Sequence, residues 1–313
     1  MTNAVCPSGI LHFTIILKEV ALLYSPVERR LLCLHYIYPV PWNRIRQLIE
    51  IDPNLEKLAT INPELLSKIL NITTRKAERL TARLKEYDQT PFELLYRREG
   101  ITPIPFTHPH YPDKLKQLID PPAVLYAKGA ISLLHNPTKI AIIGSRKATN
   151  YSRQALSFIA PPLVKHGIVI VSGLAKGADA FAHEAAMEYG GKTIAVLGSG
   201  HFHVYPKENA ELASRIETDQ LLLTEYPPYV QPAKWTFPMR NRIISGLSDA
   251  VVVTESAEKS GTMSTVDHAL DHGKAVYAVP GPITSPLSIG PNKLIDEGAK
   301  PVWNGFQIVE TVF

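Results

Sequence analysis

Cysteine is nearly missing from this chain: only Cys6 and Cys33 occur in 313 residues. Two thiols cannot build a disulfide framework or a thiolate zinc site, and such sparse usage points to a reducing compartment. Long hydrophobic runs are missing too. The longest near the N-terminus, Ile10 to Leu17, is broken by Lys18-Glu19, and no basic segment precedes it as a secretory signal requires. A cytoplasmic protein with no membrane partner is therefore expected. There is no low-complexity tract, no block of like charge and no repeat of fixed period. Charge of one sign is modest as well: 33 Lys and Arg against 29 Asp and Glu leave a net charge of +4. That balance permits nucleic-acid binding without demanding it, because what decides is whether the cations cluster.

Hydrophobic residues make up 45% of the chain, which excludes wholesale disorder and allows one large domain or two ordinary ones. The 26 prolines are expected mostly in turns: Pro103/Pro105/Pro109/Pro112, Pro121-Pro122, Pro161-Pro162 and Pro227-Pro228. Residues 1–26 form an extension with no readable role. Residues 27–99 have a helical texture, with Asp52-Pro53, Asn62-Pro63 and Thr90-Pro91 each placing a capping residue before a first-turn proline. The run from Ile69 to Leu84 and just beyond carries Arg75, Lys76, Arg79, Arg83 and Lys85. A solvated helix face is the plainer account of these cations, and a nucleic-acid contact is the other.

Residues 100–313 read differently. Short β-branched runs ending in Gly or Ser alternate with helical stretches: Ile140–Ile143, Ile168–Val171, Thr193–Leu197, Leu221–Thr224, Ala250–Thr254, Ala275–Val279 and, weakly, Pro301–Trp303. Such near-continuous apolar strands are buried on both faces, which predicts a doubly wound α/β domain with a mostly parallel sheet. Ala123–Tyr126 is expected to add a strand at its edge.

In that fold ligands gather at the carboxyl ends of the strands. The loops there carry Gly144, Ser145, Arg146 and Lys147, then Ser172, Gly173 and Lys176, and later Ser260 and Gly261 at a helix start. Gly and Ser allow close backbone approach, helix N-termini offer free N–H groups, and the cations complete a rim suited to phosphate. Neither the dinucleotide pattern nor the P-loop pattern is met, so NAD and ATP are disfavoured and no cofactor is expected.

The segment Lys234-Trp235-Thr236-Phe237-Pro238-Met239-Arg240-Asn241-Arg242 interleaves cations with aromatic rings, a combination single-strand binders use. Trp235 is equally readable as a core anchor. His268 and His272 share a helix face at metal-ligand spacing, and His201-x-His203 is similar, but no third ligand is identifiable and no metal is expected. Gly198-Ser199-Gly200 does not meet the frame of a nucleophile elbow. Glu225 and Glu255 end strands and could do chemistry or hold loops.

Gly-Ser-Arg, Ser-Gly-Leu-Ala-Lys-Gly-Ala-Asp, Ala195–Gly200 with Tyr205-Pro206, Phe-Pro-Met-Arg-Asn-Arg-Ile-Ile-Ser-Gly-Leu-Ser and Ala-Val-Pro-Gly follow one another in order. Together they resemble the bacterial DNA-processing protein A (DprA, or Smf) family, over about Gly100 to Trp303. The resemblance implies a helical domain of sterile-alpha-motif (SAM)-like type at 27–99 and an extended Rossmann-like DNA-binding domain at 100–313. It implies a protein that binds single-stranded DNA during natural transformation, shields it, helps displace single-strand-binding protein and loads the RecA recombinase, as a homodimer and without turnover. By the same resemblance Arg146 and Lys176 bind phosphate, Lys234, Arg240 and Arg242 extend the basic track, and Phe237 contacts a base. A winged-helix domain that many members carry at the C-terminus is expected to be absent.

The rival class is a nucleoside-monophosphate phosphoribohydrolase, whose Gly-Gly-x-Gly-Thr loop leads to a helix bearing a catalytic Glu. Here Met263-Ser264-Thr265 follow Ser260-Gly261-Thr262, and no carboxylate precedes Asp267 to act at a sugar. No catalytic residue is expected.

Overall fold

A computed structural model describes residues 24–39 and 41–312. Cys6 and all but the last three residues of the 1–26 extension lie outside the described residues. The chain forms two compact units. The first takes in the described residues up to Tyr111 together with Asp120–Val124, and the second takes in Pro112–Ile119 and the chain from Leu125.

The first unit is helical: α1 (Pro26–Ile37), α2 (Trp42–Ile51), α3 (Pro63–Leu70), α4 (Thr74–Tyr87) and α5 (Phe92–Arg98), followed by the strand β1 (Ile101–Pro105). Ser25 opens α1 with a capping box. Its hydroxyl accepts from Glu28 N, the Glu28 carboxylate accepts from Ser25 N at 2.7 Å, and Pro26 takes the first turn. Asn62 caps α3 as its sequence predicts, accepting from Glu64 N at 2.7 Å. Asp52-Pro53 does not start a helix; the Asp52 carboxylate accepts from Lys57 N at 2.6 Å and closes a turn instead. The run from Ile69 is two helices rather than one, because Asn71 adopts the left-handed conformation (φ 52°) that ends α3. Leu31, Leu34, Ile45, Leu66, Leu84 and Phe92 make the core.

The second unit carries α6 (Asp113–Lys116), β2 (Val124–Gly129), β3 (Lys139–Ile143), α7 (Asn150–Lys165), β4 (Val169–Ser172), α8 (Ala178–Glu188), β5 (Thr193–Val196), α9 (Ala210–Asp219) and β6 (Leu221–Thr224). It continues with α10 (Thr236–Leu247), β7 (Ala250–Val253), α11 (Gly261–Asp271), β8 (Ala275–Ala278), α12 (Ile289–Asp296), β9 (Lys300–Pro301) and α13 (Phe306–Val312). Its strands lie in the order β2-β6-β5-β4-β3-β7-β8-β9. β2, the predicted edge addition, runs antiparallel to β6, and the ladders from β6 to β9 are parallel. The doubly wound α/β reading therefore holds. Its reason is visible in the strands: Ile140, Ile142, Ile170, Val252 and Tyr277 are buried under α7 and α8 on one face, and the alternate residues Ala141, Ile143, Val171, Val253 and Ala278 are buried on the other.

Proline placement differs from expectation at two points. Pro103 and Pro105 fall within β1, and Pro161-Pro162 sit inside α7 rather than in a turn. A helical proline removes one N–H from the ladder. The carbonyl that Pro162 leaves open, Phe158 O, accepts from Gly305 N at 3.2 Å instead. No described helix is long and apolar enough to cross a membrane.

Two histidines, the buried His183 and the half-buried His201, tie this unit to pH. The Thr193 hydroxyl donates to Ile170 O at 2.7 Å, so it accepts from His183 Nδ1 at 2.6 Å, while His201 Nε2 donates to Tyr126 O at 3.0 Å. Burial, with Arg240 adding to it, pushes His183 down to about 3. Burial likewise brings His201 to about 4, against the pull of the Tyr126 carbonyl. Both rings are neutral in the fold and gain a proton on unfolding below pH 6.5. Their stabilisation is complete above that pH and is lost as pH falls towards 4. Denaturant melts of the full chain should lose about 2 kcal/mol per ring between pH 7.5 and 5. The buried His35 is likewise pushed down to about 3 and adds a similar share, so His183→Gln should lose about a third of the full chain's pH dependence; an equally steep profile in the variant would remove His183 as a source.

Candidate nucleic-acid interface

β3 lies between β4 and β7, and the chain leaves it towards β4 and returns to β7 on the other side. The loops after β3 and β7 therefore diverge at a topological switch point, where open α/β sheets bind ligands. The buried Glu255 spans the divide. Its carboxylate accepts from Thr149 N (2.7 Å), Thr149 Oγ1 (2.9 Å) and Ser152 Oγ (2.8 Å), and its carbonyl accepts from Ser145 N at 2.6 Å. Of the two roles open to Glu255, the geometry is that of a loop anchor. Gly144 and Ser145, expected on the phosphate rim, are half-buried at this junction, and the Ser145 amide is taken by the Glu255 carbonyl.

The loop after β4 is organised by α10. That helix starts at Thr236, so Phe237, Arg240 and Arg242 belong to its first turns rather than to a preceding loop. Phe237 and Arg240, three apart, share a face. The buried Arg240 guanidinium donates through Nη1 to Gly173 O and to Val196 O (2.6 Å), and Nε reaches Asn241 Oδ1 at 3.1 Å. A Cβ on Gly173 would overlap that guanidinium. Asp179, in the first turn of α8, supplies counter-charge: burial raises its carboxyl, while Arg240 and N–H bonds from Ala175 and Gly173 pull it down. Ser172 is fully buried and its hydroxyl donates to Ile142 O at 2.6 Å, which corrects its expected place on the phosphate rim.

Arg146, Gly173, Ala175, Lys176, Tyr205, Pro206, Phe237 and Arg240 line one cleft. Phe237 lies against Tyr205 (ring centroids 5.5 Å), and the Arg146 guanidinium sits 5.4 Å from the Phe237 centroid. Only glycine fits at 198, because a Cβ there would come within 2.7 Å of the Phe237 ring. Lys176 pairs with Glu208 at 2.5 Å, but both side chains are more than half exposed, so the pair is weak and screened by salt. Lys147 and Lys234 are exposed outside the cleft. Trp235 is 62% exposed, edge-on to Tyr226, which removes the core-anchor reading.

Arg242 does not extend the exposed basic track as expected. It is buried in an ion pair with Glu225, since its position on α10 turns it towards the β6 loop. Ser260 caps α11, accepting from Thr262 N at 3.2 Å, and Gly261 beside it faces open space; neither lines the cleft. His272 Nδ1 meets Ser245 Oγ at 2.9 Å, and no group of three His, Cys, Asp or Glu side chains suited to a metal occurs among the described residues. Tyr205, Ala175 and Asp179 had no assigned role; Tyr205-Pro206 was legible only as part of a motif.

Residues 102–313 match the family model of DNA recombination-mediator protein A. The chain belongs to that family. Among its relatives, the DNA processing protein DprA of Bacillus subtilis (strain 168) is 44% identical over 251 residues, covering 79% of this chain and 84% of the relative. Protein Smf of Escherichia coli (strain K12) is 40% identical over 67% of this chain and 56% of its own length. The crystal structure of DprA from Streptococcus pneumoniae superimposes with a TM-score of 0.78 at 33% identity, covering 92% of this chain and 98% of that one. A structure of Helicobacter pylori DNA processing protein A, concerned with its single-stranded DNA binding mode, gives a TM-score of 0.60 at 35% identity over 64% of this chain and 92% of that one.

The cleft floor yields a direct test. Gly173→Ala should displace Arg240 from Gly173 O and Val196 O, leaving buried carbonyls unpaired at about 1–3 kcal/mol. The melting temperature should drop by about 2–4 °C per kcal/mol. A wild-type melt would show that Arg240 swings aside without loss.

Proposed function

We propose that this chain is a single-stranded DNA-binding protein of natural transformation that acts by binding rather than by turnover. In this reading it shields incoming DNA, helps displace single-strand-binding protein and loads the RecA recombinase in the cytoplasm. It does so as a homodimer, with residues 27–99 as a helical domain and 100–313 as the DNA-binding domain. The observation that carries the proposal is the cleft at the carboxyl ends of the strands, where the exposed Arg146 and Lys176 stand beside the Phe237 and Tyr205 rings. Cations take phosphates, and ring faces take unpaired bases without regard to sequence. The relatives named for DNA processing, and the Helicobacter pylori protein described for its single-strand binding, support the same reading.

Within the site, Arg146, Lys147, Lys176 and Lys234 are the phosphate contacts and Phe237 the base contact, with the exposed Trp235 as a further ring. Gly144, Ser145, Ser172, Gly173 and Arg240 shape and brace it, while Arg242, Ser260 and Gly261 lie outside the cleft lining. The deciding experiment is a titration of oligothymidylate strands of graded length, with and without duplex competitor. Single strands should win; equal affinity for duplex would sink the proposal.

Arg146 and Phe237 should fail differently. Arg146→Ala should cost about 1.5–3 kcal/mol of binding and flatten the salt dependence by a slope of about 0.7. Phe237→Ala should cost about 1–3 kcal/mol with the salt slope unchanged. Isotherms at several salt concentrations separate the two, and a stable Arg146→Ala protein with wild-type affinity and slope would take Arg146 out of the site.

A further inference from the structure

The cations of α4 are untouched by the cleft. Ala77, Leu80, Thr81 and Leu84 turn inward, and Arg75, Lys76, Arg79 and Arg83 are all exposed on the other side of the helix. At 100° per residue these four fall within one arc, and Arg75, Arg79 and Arg83 follow at i, i+4 and i+8, about 6 Å apart along the axis. In the same unit two arginines do pair with carboxylates, Arg29 with Glu93 at 3.3 Å and Arg46 with Glu50 at 2.9 Å, while Arg30 and Arg44 donate to the backbone carbonyls of Asn54 and Ile69. None of these four forms an ion pair among the described residues, and Lys85, the fifth cation of α4, lies off the arc. Two of them lie instead over tyrosine rings, with Lys76 Nζ 4.8 Å from the Tyr38 centroid and the Arg83 guanidinium 5.8 Å from that of Tyr87. Both rings are half-exposed.

A merely solvated helix face gains from balanced, alternating charges, whereas this arc carries four cations against one carboxylate, the exposed Glu86, and is flanked by aromatic rings. Row and rings together suit a phosphate backbone with unpaired bases alongside. We propose that the α4 face is a second contact surface for single-stranded nucleic acid, on the helical unit and separate from the cleft. This rests on the single-strand reading of the cleft and deepens it: the chain engages a long strand at two places, and a short one at the cleft alone. Linked contacts of this kind raise the affinity for long strands without any change at the first site.

The test uses the full chain and oligothymidylate of about 10 and about 60 nucleotides, the first within and the second well beyond the usual span of one site. The triple variant Arg75→Ala/Arg79→Ala/Arg83→Ala should bind the short strand within about twofold of wild type. Its affinity for the long strand should fall about tenfold or more, with the salt slope smaller by about 2, three contacts at about 0.7 each. Arg146→Ala should weaken both lengths. Should the triple alanine variant melt early, wild-type protein cross-linked to a bromodeoxyuridine strand supplies the same answer, with adducts expected at Tyr38 or Tyr87. An unchanged slope on the long strand in a folded variant, or adducts confined to the α/β unit, overturns the second surface while leaving the cleft intact. Equal competition by poly-glutamate of matched charge overturns the nucleic-acid assignment. Failure of wild type to bind either strand overturns the cleft reading together with this one.

Discussion

A buried guanidinium bonded to two backbone carbonyls sets the geometry of the cleft. Arg240 fastens the start of α10 to the carboxyl ends of β4 and β5 through Gly173 O and Val196 O. A charge in that position is tolerable only with counter-charge and hydrogen bonding, to which Asp179 and Asn241 contribute. The rest follows from the helix. Phe237, one turn earlier, lands over Gly198, and the exposed Arg146 meets the ring from the neighbouring loop. The cleft thus separates a charge that builds from charges that reach outward. Arg240 has committed Nη1 and Nε to the fold, while the exposed Arg146 guanidinium makes no hydrogen bond among the described residues.

The same division runs through the switch point. Glu255 ends a strand at the place where many α/β enzymes put a working carboxylate, yet three protein donors surround its oxygens and its loop is fixed by them. A carboxylate so engaged braces two diverging loops. Rigidity of that kind suits a protein whose task is to hold a flexible polymer, since the ordering cost then falls mainly on the polymer.

The strands were legible in the sequence because burial on both faces leaves an unbroken apolar signature, as in Ile140–Ile143 and Leu221–Thr224. The cleft was legible in part. Arg146, Lys176 and Phe237 announce themselves by type and by position after a strand. Ser172, Arg240 and Arg242 do not, because residue type does not tell a cation facing solvent from one facing carbonyls. The start of α10 at Thr236 decided that question, and helix onset is weakly encoded where Trp235 stands in the capping position without a side-chain bond. Asp179 was hidden for the same reason. Its role exists only once α8 and Arg240 are packed. In the helical unit the left-handed turn at Asn71 split a run whose charge pattern gave no sign of a break.

The bond from Gly305 to Phe158 carries a consequence for how the C-terminal end is placed. A helix normally saturates its interior carbonyls from within, so its flank offers a neighbour nothing polar to recognise. Pro162 leaves one such acceptor open, and the turn before α13 fills it with an amide 147 positions along the chain. A local defect in α7 thereby becomes an address. It selects where along the helix the last turn docks, something the apolar contacts of Ile308 and Val309, which tolerate sliding, would specify only loosely.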